Sequence, residues 1–189
     1  MRQEAAFMSK RIVAIVGMAG AGKSAVASFL TSHGLHYVHF GDATMDELKR
    51  RGLPVNEANE RTVREDMRAV HGMAAYAILN LERIECALQS GSVVVDGLYS
   101  WEEYLILKER FGELLMVVSV TASPATRRRR LATRPARPLT GDEVDGRDRA
   151  EIEKLNKGGP IAMADITLVN EGSMGELERQ AESVLGAIR

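Results

Sequence analysis

The segment from Arg11 to Ser24 constrains this chain more than any other. Five apolar residues at positions 12–16 precede the pattern Gly17-x-x-x-x-Gly22-Lys23-Ser24. A buried strand followed directly by this spacing is the phosphate-binding P-loop pattern. The glycines let backbone N–H groups approach phosphate oxygens, the lysine reaches the β- and γ-phosphates, and the serine hydroxyl can bind Mg²⁺. The helix expected after the loop adds the positive end of its dipole, so the segment predicts a nucleotide triphosphate site.

The loop and the start of its helix supply the residues expected to hold the donor phosphates of ATP. Lys23 is also a candidate catalytic residue, because its ammonium can offset the charge on a phosphoryl group during transfer. A glycine-rich turn that binds nothing is the alternative, and the complete pattern between a strand and a helix argues against it. The expected ATP-binding residues of this segment are Gly17, Ala19, Gly20, Ala21, Gly22, Lys23, Ser24 and Ala25.

Composition indicates a single α/β domain without a membrane segment. The chain has 189 residues, a net charge of −1 and one cysteine, Cys86, which excludes an internal disulfide. No apolar stretch reaches membrane-spanning length, and the first residues lack the apolar core of a secretion signal. We expect an extension at residues 1–10, one domain at residues 11–189 and a cytoplasmic location. The charge disfavours a membrane or nucleic-acid partner, and the oligomeric state is left open.

Strand-like and helical segments alternate along the whole domain. Such alternation predicts a three-layer α/β/α fold of the P-loop NTPase type with a parallel five-stranded sheet. The helical stretch at residues 54–89 exceeds a simple crossover, so we expect it to cover an acceptor substrate and to bend at Gly72. Residues 135–146 predict a mobile loop within a lid at residues 134–151, followed by a helix over residues 147–157. The expected strands are residues 12–16, 35–40, 92–96, 114–120 and 166–169.

Two aspartates follow predicted strands and are candidates for the site. Asp96 ends the run SVVVD, which is typical of a strand that delivers a carboxylate to the metal and phosphate region. Asp42 is either a site residue at the carboxyl edge of the sheet or an N-cap of the next helix, and the two roles are compatible. We expect Asp96 to bind Mg²⁺ together with Ser24, and one of the two aspartates to orient the acceptor oxygen.

Arginines recur at helical spacing in two segments. Arg127, Arg130 and Arg134 have offsets that place them on one helix face, where they can offset the charge of a phosphoryl group. A solvated face or a nucleic-acid patch has the same spacing, but the interleaved aromatic residues of a nucleic-acid site are missing. Arg68, in the segment at residues 54–89, is predicted to bind the acceptor, although a solvated mixed-charge face would look the same.

Several motifs occur in the order found in one group of enzymes: GMAGAGKS, the Asp42 strand end, VVVDG, P-x-x-R-x-x-R-L-x-x-R, RDRAE and ADITLVNEGSMGEL. The set covers residues 12–177 and resembles the P-loop kinases of nucleotides and coenzymes. It is most similar to dephospho-CoA kinase and to a group of archaeal adenylate-kinase-like proteins. Two departures from the archaeal group, at residues 43–45 and 98–99, lie where the acceptor is expected.

The resemblance implies roles for further residues. Arg127 would pack near the adenine, and Arg130 and Arg134 would bind phosphates from the lid. Asn170 and Gly172 would line the adenine pocket largely through their backbone. The expected acceptor site consists of Asp42, Arg68, Gly97 and Tyr99.

The sequence therefore predicts an ATP-dependent phosphotransferase that moves the γ-phosphoryl group of Mg-ATP to a small nucleotide. A nucleoside monophosphate is the first expectation for the acceptor, and dephospho-CoA is the alternative. A hypothesis of another class is a switch NTPase or nucleotide sensor, although Asn156-Lys157 followed by Gly159 departs from the guanine-reading pattern of GTPases. A nucleic-acid end kinase is disfavoured by the near-neutral charge.

Overall fold

The computed structural model describes residues 10–135 and 137–188. Apart from Lys10, the expected extension at residues 1–10 lies outside the described residues. No helix in the described ranges combines the length and apolar character that crossing a bilayer requires. The strands are β1 (Ile12–Val16), β2 (His36–His39), β3 (Val93–Asp96), β4 (Leu115–Thr121) and β5 (Ile166–Val169). The helices are α1 (Lys23–Ser32), α2 (Asp42–Arg51), α3 (Glu57–His71), α4 (Ala75–Ser90), α5 (Trp101–Phe111), α6 (Pro124–Thr133), α7 (Gly141–Glu153), α8 (Gly158–Ala162) and α9 (Met174–Ala187), with 3-10 helices at Gly72–Ala74 and Gly112–Leu114.

The five strands form one parallel sheet in the order β2-β3-β1-β4-β5. β1 lies at the centre, and each of its residues is buried. Ile12, Ala14 and Val16 pack in the core that α4 and α5 cover, whereas Val13 and Ile15 pack in the core that α1 and α9 cover. Burial on both faces explains why the strand is continuously apolar rather than alternating. The predicted three-layer fold with a parallel five-stranded sheet is confirmed.

The carboxyl edge of the sheet brings three chain segments together. Asp96, the last residue of β3, is in register with Ile15 of β1 and His39 of β2. The P-loop follows β1, and α2 begins shortly after β2. In open parallel sheets, ligands bind in the crevice outside this edge. The topology therefore positions Asp96 beside the P-loop.

Helices α3 and α4 occupy the segment predicted as a helical insertion, and the chain bends between them at Gly72. Asn56 caps α3, because its side chain accepts a hydrogen bond from the Asn59 N–H at 3.0 Å. Val63 is the buried residue of this helix, whose first turn carries acidic side chains. α3 packs against α2 and α4 rather than lying flat on the sheet. The insertion thereby forms one wall of the crevice at the carboxyl edge.

The segment after α6 differs from the prediction in two places. α6 ends one residue before Arg134, which has extended backbone angles (ψ 143°), so Arg134 does not continue the helical row of arginines. The loop predicted at residues 135–146 is wrong over its second half, because α7 begins at Gly141. Thr140 and Glu143 form a capping box that starts this helix. Capping residues and loop residues share the same composition, which explains the error.

The helix predicted at residues 147–157 is wrong at both of its ends, because α7 begins before residue 147 and ends before residue 157. α7 ends at Glu153, and α8 begins at Gly158. Between them, Asn156 has a left-handed backbone (φ 51°) that turns the chain. The turn directs the side chain of Lys157 inward, where it is fully buried.

Candidate active site

The P-loop connects β1 to α1, and Lys23 is the first residue of that helix. Its ammonium donates hydrogen bonds to the carbonyl oxygens of Gly17 (2.9 Å) and Met18 (3.2 Å). These bonds hold the lysine side chain back over its own loop. The loop backbone, the lysine and the helix N-terminus therefore face one small region, as an anion site requires.

Asn170 fixes the loop from the neighbouring strand end. Its side-chain amide donates to the carbonyl oxygen of Ala21 (2.8 Å), and its Oδ1 accepts from the Arg130 guanidinium (3.1 Å). Gly22 has a positive φ of 105°, and a Cβ there would overlap this amide. Asn170 therefore contacts the loop through its side chain, and its expected backbone contribution to an adenine pocket stays a prediction. Gly172 lies apart from the loop, in a surface cavity between β5 and α9.

The side chain of Arg127 also forms hydrogen bonds with other parts of the protein. Its buried guanidinium forms two hydrogen bonds of 2.6 Å with the Asp148 carboxylate and donates to the carbonyl oxygen of Ala19 at 3.3 Å. This ion pair joins α6, α7 and the P-loop, so Arg127 links the lid to the loop, and its expected position near an adenine stays a prediction. Arg134 donates to the carbonyl oxygen of Arg137, within its own turn.

A buried carboxylate, Glu151, contacts the P-loop from α7. Its Oε2 accepts a hydrogen bond from the N–H of Ala19 at 3.2 Å and lies 2.8 Å from the ammonium of Lys157. Its Oε1 lies 3.2 Å from Nε of Arg147. Burial opposes ionisation, but Lys157, Lys23 and Arg147 together lower the pKa of Glu151. The carboxylate is therefore charged and surrounded by cations.

Lys23 and Lys157 are two buried lysines that influence each other. Burial, followed by repulsion from Lys157, lowers the pKa of Lys23 to about 8, while Glu151 and Asp96 oppose the shift and Arg147 adds to it. Burial likewise lowers the pKa of Lys157, against the attraction of Glu151. The ammonium of Lys157 lies 4.3 Å from the ring centroid of Tyr99. The region therefore concentrates positive charge that an incoming anion would stabilise.

The affinity of the protein for ATP is expected to fall as the pH rises above about 8. Free Lys23 loses its proton near that pH, whereas a bound phosphate favours the ammonium form and raises its pKa. Between the two pKa values binding takes up one proton, so the affinity decreases by up to about tenfold per pH unit. Titration calorimetry in two buffers of different ionisation enthalpy measures that uptake. Uptake that persists unchanged in Lys23→Met would contradict the assignment.

Ser24 and Asp96 line one cavity of about 660 Å³ beside the P-loop, here called the Ser24 cavity. Tyr37 donates a hydrogen bond to Oδ2 of Asp96 at 3.2 Å, and burial, reinforced by Asp96, raises the pKa of this tyrosine. A hydroxyl and a carboxylate are hard oxygen donors of the kind that Mg²⁺ accepts together with substrate phosphates and water. The donor set present therefore fits the magnesium ion expected from the sequence.

Asp42 is placed differently from Asp96. It is the first residue of α2, whose N-cap is Gly41, so the predicted alternative of an N-cap is wrong. Its carboxylate is exposed and pairs with Nδ1 of His39 at 3.0 Å. Asp42 lines neither the Ser24 cavity nor the two cavities that Arg64, Arg68 and Tyr99 line.

Two adjoining cavities lie beside the insertion, one between α2 and α3 and the other between α3 and the lid. The Tyr76 cavity (about 400 Å³) contains Thr44, Met45 and Tyr76, and the Arg147 cavity (about 800 Å³) contains Arg147 and Glu151. Three residues line both cavities: Arg64, Arg68 and Tyr99. The shared residues make the two cavities one cleft. This cleft extends from the insertion to Glu151, which lies on α7 and contacts the P-loop. Gly97 lies outside this lining and packs against Phe40.

Comparison with known proteins identifies the family. An AAA domain model (AAA_18) matches residues 13–154 of the chain. A UPF0200 protein of Hyperthermus butylicus is 34% identical over 179 residues, which cover 94% of this chain and 94% of that protein. The chain belongs to the UPF0200 family.

Solved structures similar to this UPF0200 protein include small-molecule kinases. A gluconokinase from Sinorhizobium meliloti aligns with a TM-score of 0.59 at 19% identity, covering 96% of this chain and 94% of that one. A dephospho-CoA kinase from Campylobacter jejuni aligns with a TM-score of 0.56 at 12% identity, covering 95% and 98%. At these identities the likeness establishes a P-loop kinase-like fold for the UPF0200 chain.

Sequence reasoning missed three residues of the candidate site: Arg147, Glu151 and Lys157. The motif RDRAE contains the first two, and their spacing of four residues on a helix was the available signal for a pair. Lys157 had no usable signal, because a lysine between Asn156 and two glycines is typical of a solvated turn. Its burial depends on the left-handed turn between α7 and α8.

Proposed function

We propose that this protein is an ATP-dependent phosphotransferase whose acceptor is a nucleoside monophosphate. The observation that carries the proposal is the cleft shared by Arg64, Arg68 and Tyr99, which adjoins the P-loop region at Glu151. A kinase needs a donor site and an acceptor site that meet at the transferred group. The P-loop supplies the first, and this cleft has the position of the second.

The lining of the cleft favours an acceptor with an anionic group and a flat apolar part. Arg68 provides a guanidinium group that suits phosphate oxygens, and Arg64 could add a second one by leaving its ion pairs with Glu57 and Glu60. Nε of Arg68 is buried, and within residues 10–135 and 137–188 no oxygen atom accepts a hydrogen bond from it. The adjoining Tyr76 cavity is walled by Met45, Tyr76 and Tyr99, side chains that can pack against a purine or pyrimidine ring. A nucleoside monophosphate combines both parts.

Magnesium would be held by Ser24 and Asp96, and when bound it supplies positive charge that shields the phosphate oxygens from one another. Lys23 would bind the β- and γ-phosphates, after leaving the carbonyl oxygens of its own loop. Asp96 also keeps the hydroxyl of Tyr37 oriented, and would help to position the acceptor oxygen. Arg130, whose NH1 is buried without a partner in the described residues, remains a proposed phosphate ligand. The transfer is direct, with no covalent enzyme intermediate.

Dephospho-CoA is the second acceptor to test, because a dephospho-CoA kinase shares this fold. Its adenosine end would occupy the same cleft, but the reacting group would be a sugar hydroxyl rather than a phosphate oxygen. The two acceptors differ in what the arginines do: a monophosphate needs them to bind its reacting group, and a hydroxyl acceptor does not.

The test is a γ-phosphoryl transfer assay with Mg²⁺ and ATP across ribo- and deoxynucleoside monophosphates and dephospho-CoA, with mass spectrometry of the phosphorylated acceptor. Lys23→Met serves as the blank. For a monophosphate, Arg68→Met is expected to raise KM by about 10- to 100-fold, as loss of a charge-assisted contact implies, with little change in ATP affinity. An exposed arginine on the same helix, Arg61, gives the matched control Arg61→Met.

Transfer to one monophosphate that needs Lys23 and Arg68 supports the proposal. Transfer to dephospho-CoA alone would replace it with the second acceptor. ATP binding without transfer to any member of the panel would favour the nucleotide sensor and contradict the kinase.

A further inference from the structure

Glu151 presents a carboxylate to a set of donors that suits a phosphate. The N–H of Ala19 and Nε of Arg147 each donate a hydrogen bond of 3.2 Å to it, and the ammonium of Lys157 forms an ion pair with it at 2.8 Å. Ala19 belongs to the loop whose backbone N–H groups bind phosphate oxygens in P-loop proteins. Backbone amides, ammonium and guanidinium groups are also the usual ligands of phosphoryl oxygens. The carboxylate oxygens thus occupy positions that phosphate oxygens could take.

Lys157 depends on this carboxylate. Its side chain is 0% exposed, and within residues 10–135 and 137–188 Glu151 is the acidic group that pairs with it. A buried cation that loses its paired anion is strongly destabilised unless another anion takes its place. Glu151 could therefore leave Lys157 only in exchange for a second anion.

The surroundings allow such an exchange. Glu151 and Arg147 both line the Arg147 cavity, whose volume of about 800 Å³ gives the carboxylate space to rotate away from the loop. Lys23, the P-loop lysine, is bound to the carbonyl oxygens of Gly17 and Met18, the two residues that precede Ala19, whose N–H donates a hydrogen bond to Glu151. A phosphate held by Lys23 would thus lie within reach of the same cations.

We propose that Glu151 is an internal anion that fills the phosphate site until a nucleotide binds, and that the terminal phosphate displaces it and takes Lys157 and Arg147 as ligands. The inference rests on the nucleotide-binding half of the proposed function and is independent of the acceptor. It makes Lys157 and Arg147 phosphoryl ligands in addition to Lys23. It also makes Glu151 a competitor of the nucleotide.

An internal competitor lowers the apparent affinity by the fraction of molecules in which the site is free. Glu151→Gln keeps an oxygen for the Ala19 N–H but removes the charge that Lys157 and Arg147 attract. We expect the variant to bind inorganic tripolyphosphate about tenfold more tightly than the natural protein, as a free fraction of about one tenth implies. If the carboxylate only held the lid in place, Glu151→Gln would bind tripolyphosphate more weakly, because the phosphate ligands would be less well positioned.

The experiment is titration calorimetry of the whole chain with inorganic tripolyphosphate in EDTA, which excludes metal and acceptor from the measurement. Glu153→Gln is the matched control, since Glu153 lies on the same helix, is exposed and is 3.9 Å from Arg149. Its affinity should equal that of the natural protein. Lys157→Met should bind tripolyphosphate about tenfold more weakly, as loss of one charge-assisted ligand implies.

If Glu151→Gln does not fold, Glu151→Gln/Lys157→Met removes both charges of the buried pair, a change that is often tolerated. This double variant should bind tripolyphosphate more tightly than Lys157→Met alone. Unchanged or weaker binding on removal of the carboxylate would overturn the proposal. A tighter Glu151→Gln combined with no transfer to any acceptor would uphold this inference and reject the kinase. Phosphoryl transfer to an acceptor, combined with an unchanged affinity of Glu151→Gln for tripolyphosphate, would reject this inference and uphold the kinase.

Discussion

Lys23→Met is expected to reduce phosphoryl transfer by about 100-fold or more, the loss typical when one preorganised donor to a developing charge is removed. The ammonium already lies over the P-loop, bound to the carbonyl oxygens of Gly17 and Met18. Phosphoryl transfer is catalysed mainly by position and electrostatic stabilisation, so the loss of this charge affects the rate directly. The measurement is the initial rate of acceptor phosphorylation at saturating ATP.

The variant should fold, because methionine replaces an ammonium whose burial already lowers its pKa to about 8. Circular dichroism and a thermal unfolding curve check this point. Lys108→Met provides the matched control, since Lys108 is half-exposed on α5 and pairs only loosely with Glu113 at 3.9 Å. A Lys23→Met rate within about threefold of the natural rate would remove the P-loop lysine from the mechanism.

The features that sequence reasoning predicted well are local ones. The strand at residues 12–16, the glycine spacing and the start of α1 form one uninterrupted segment, so composition and periodicity describe it fully. The parallel sheet follows from the alternation of strands and helices in the same way. Asp96 was predictable because a buried run of valines ends at it, and the sheet register then sets it beside Ile15.

The features that were not predictable join distant parts of the chain. The Ala19 N–H and Glu151 are 132 residues apart, and the Asn170 amide and Ala21 are 149 residues apart. No periodicity links such positions, because they meet only after the helices have packed. Arg127 illustrates the same limit. Its place on a helix face was predictable, but its ion pair with Asp148 depends on how α7 packs against α6.

Asp96 and Asp42 differ in their burial and in their position relative to the candidate site. Asp96 is buried beside Ser24 in the Ser24 cavity, whereas the Asp42 carboxylate is exposed and pairs with His39. Both occur at the carboxyl edge of the sheet, and the sequence assigned the metal to Asp96 but left open which aspartate orients the acceptor oxygen. The burial of Asp96 beside Ser24 therefore supports the proposal that Asp96 contacts the metal and the reacting phosphates.

We therefore expect Asp96→Asn to lower the transfer rate by about 100-fold and Asp42→Asn to leave it within about threefold, by analogy with the loss of one electrostatic ligand against none. Asparagine is nearly isosteric and can still accept the hydrogen bond from Tyr37, so the change isolates the charge. Measuring the rate of each variant over a range of Mg²⁺ concentrations separates the roles. Asp96→Asn should need more Mg²⁺ to reach half its maximal rate, because a neutral amide is a weaker ligand for a hard cation than a carboxylate. A larger loss in Asp42→Asn than in Asp96→Asn would move the acceptor to the outer face of α2 and contradict the cleft as its site.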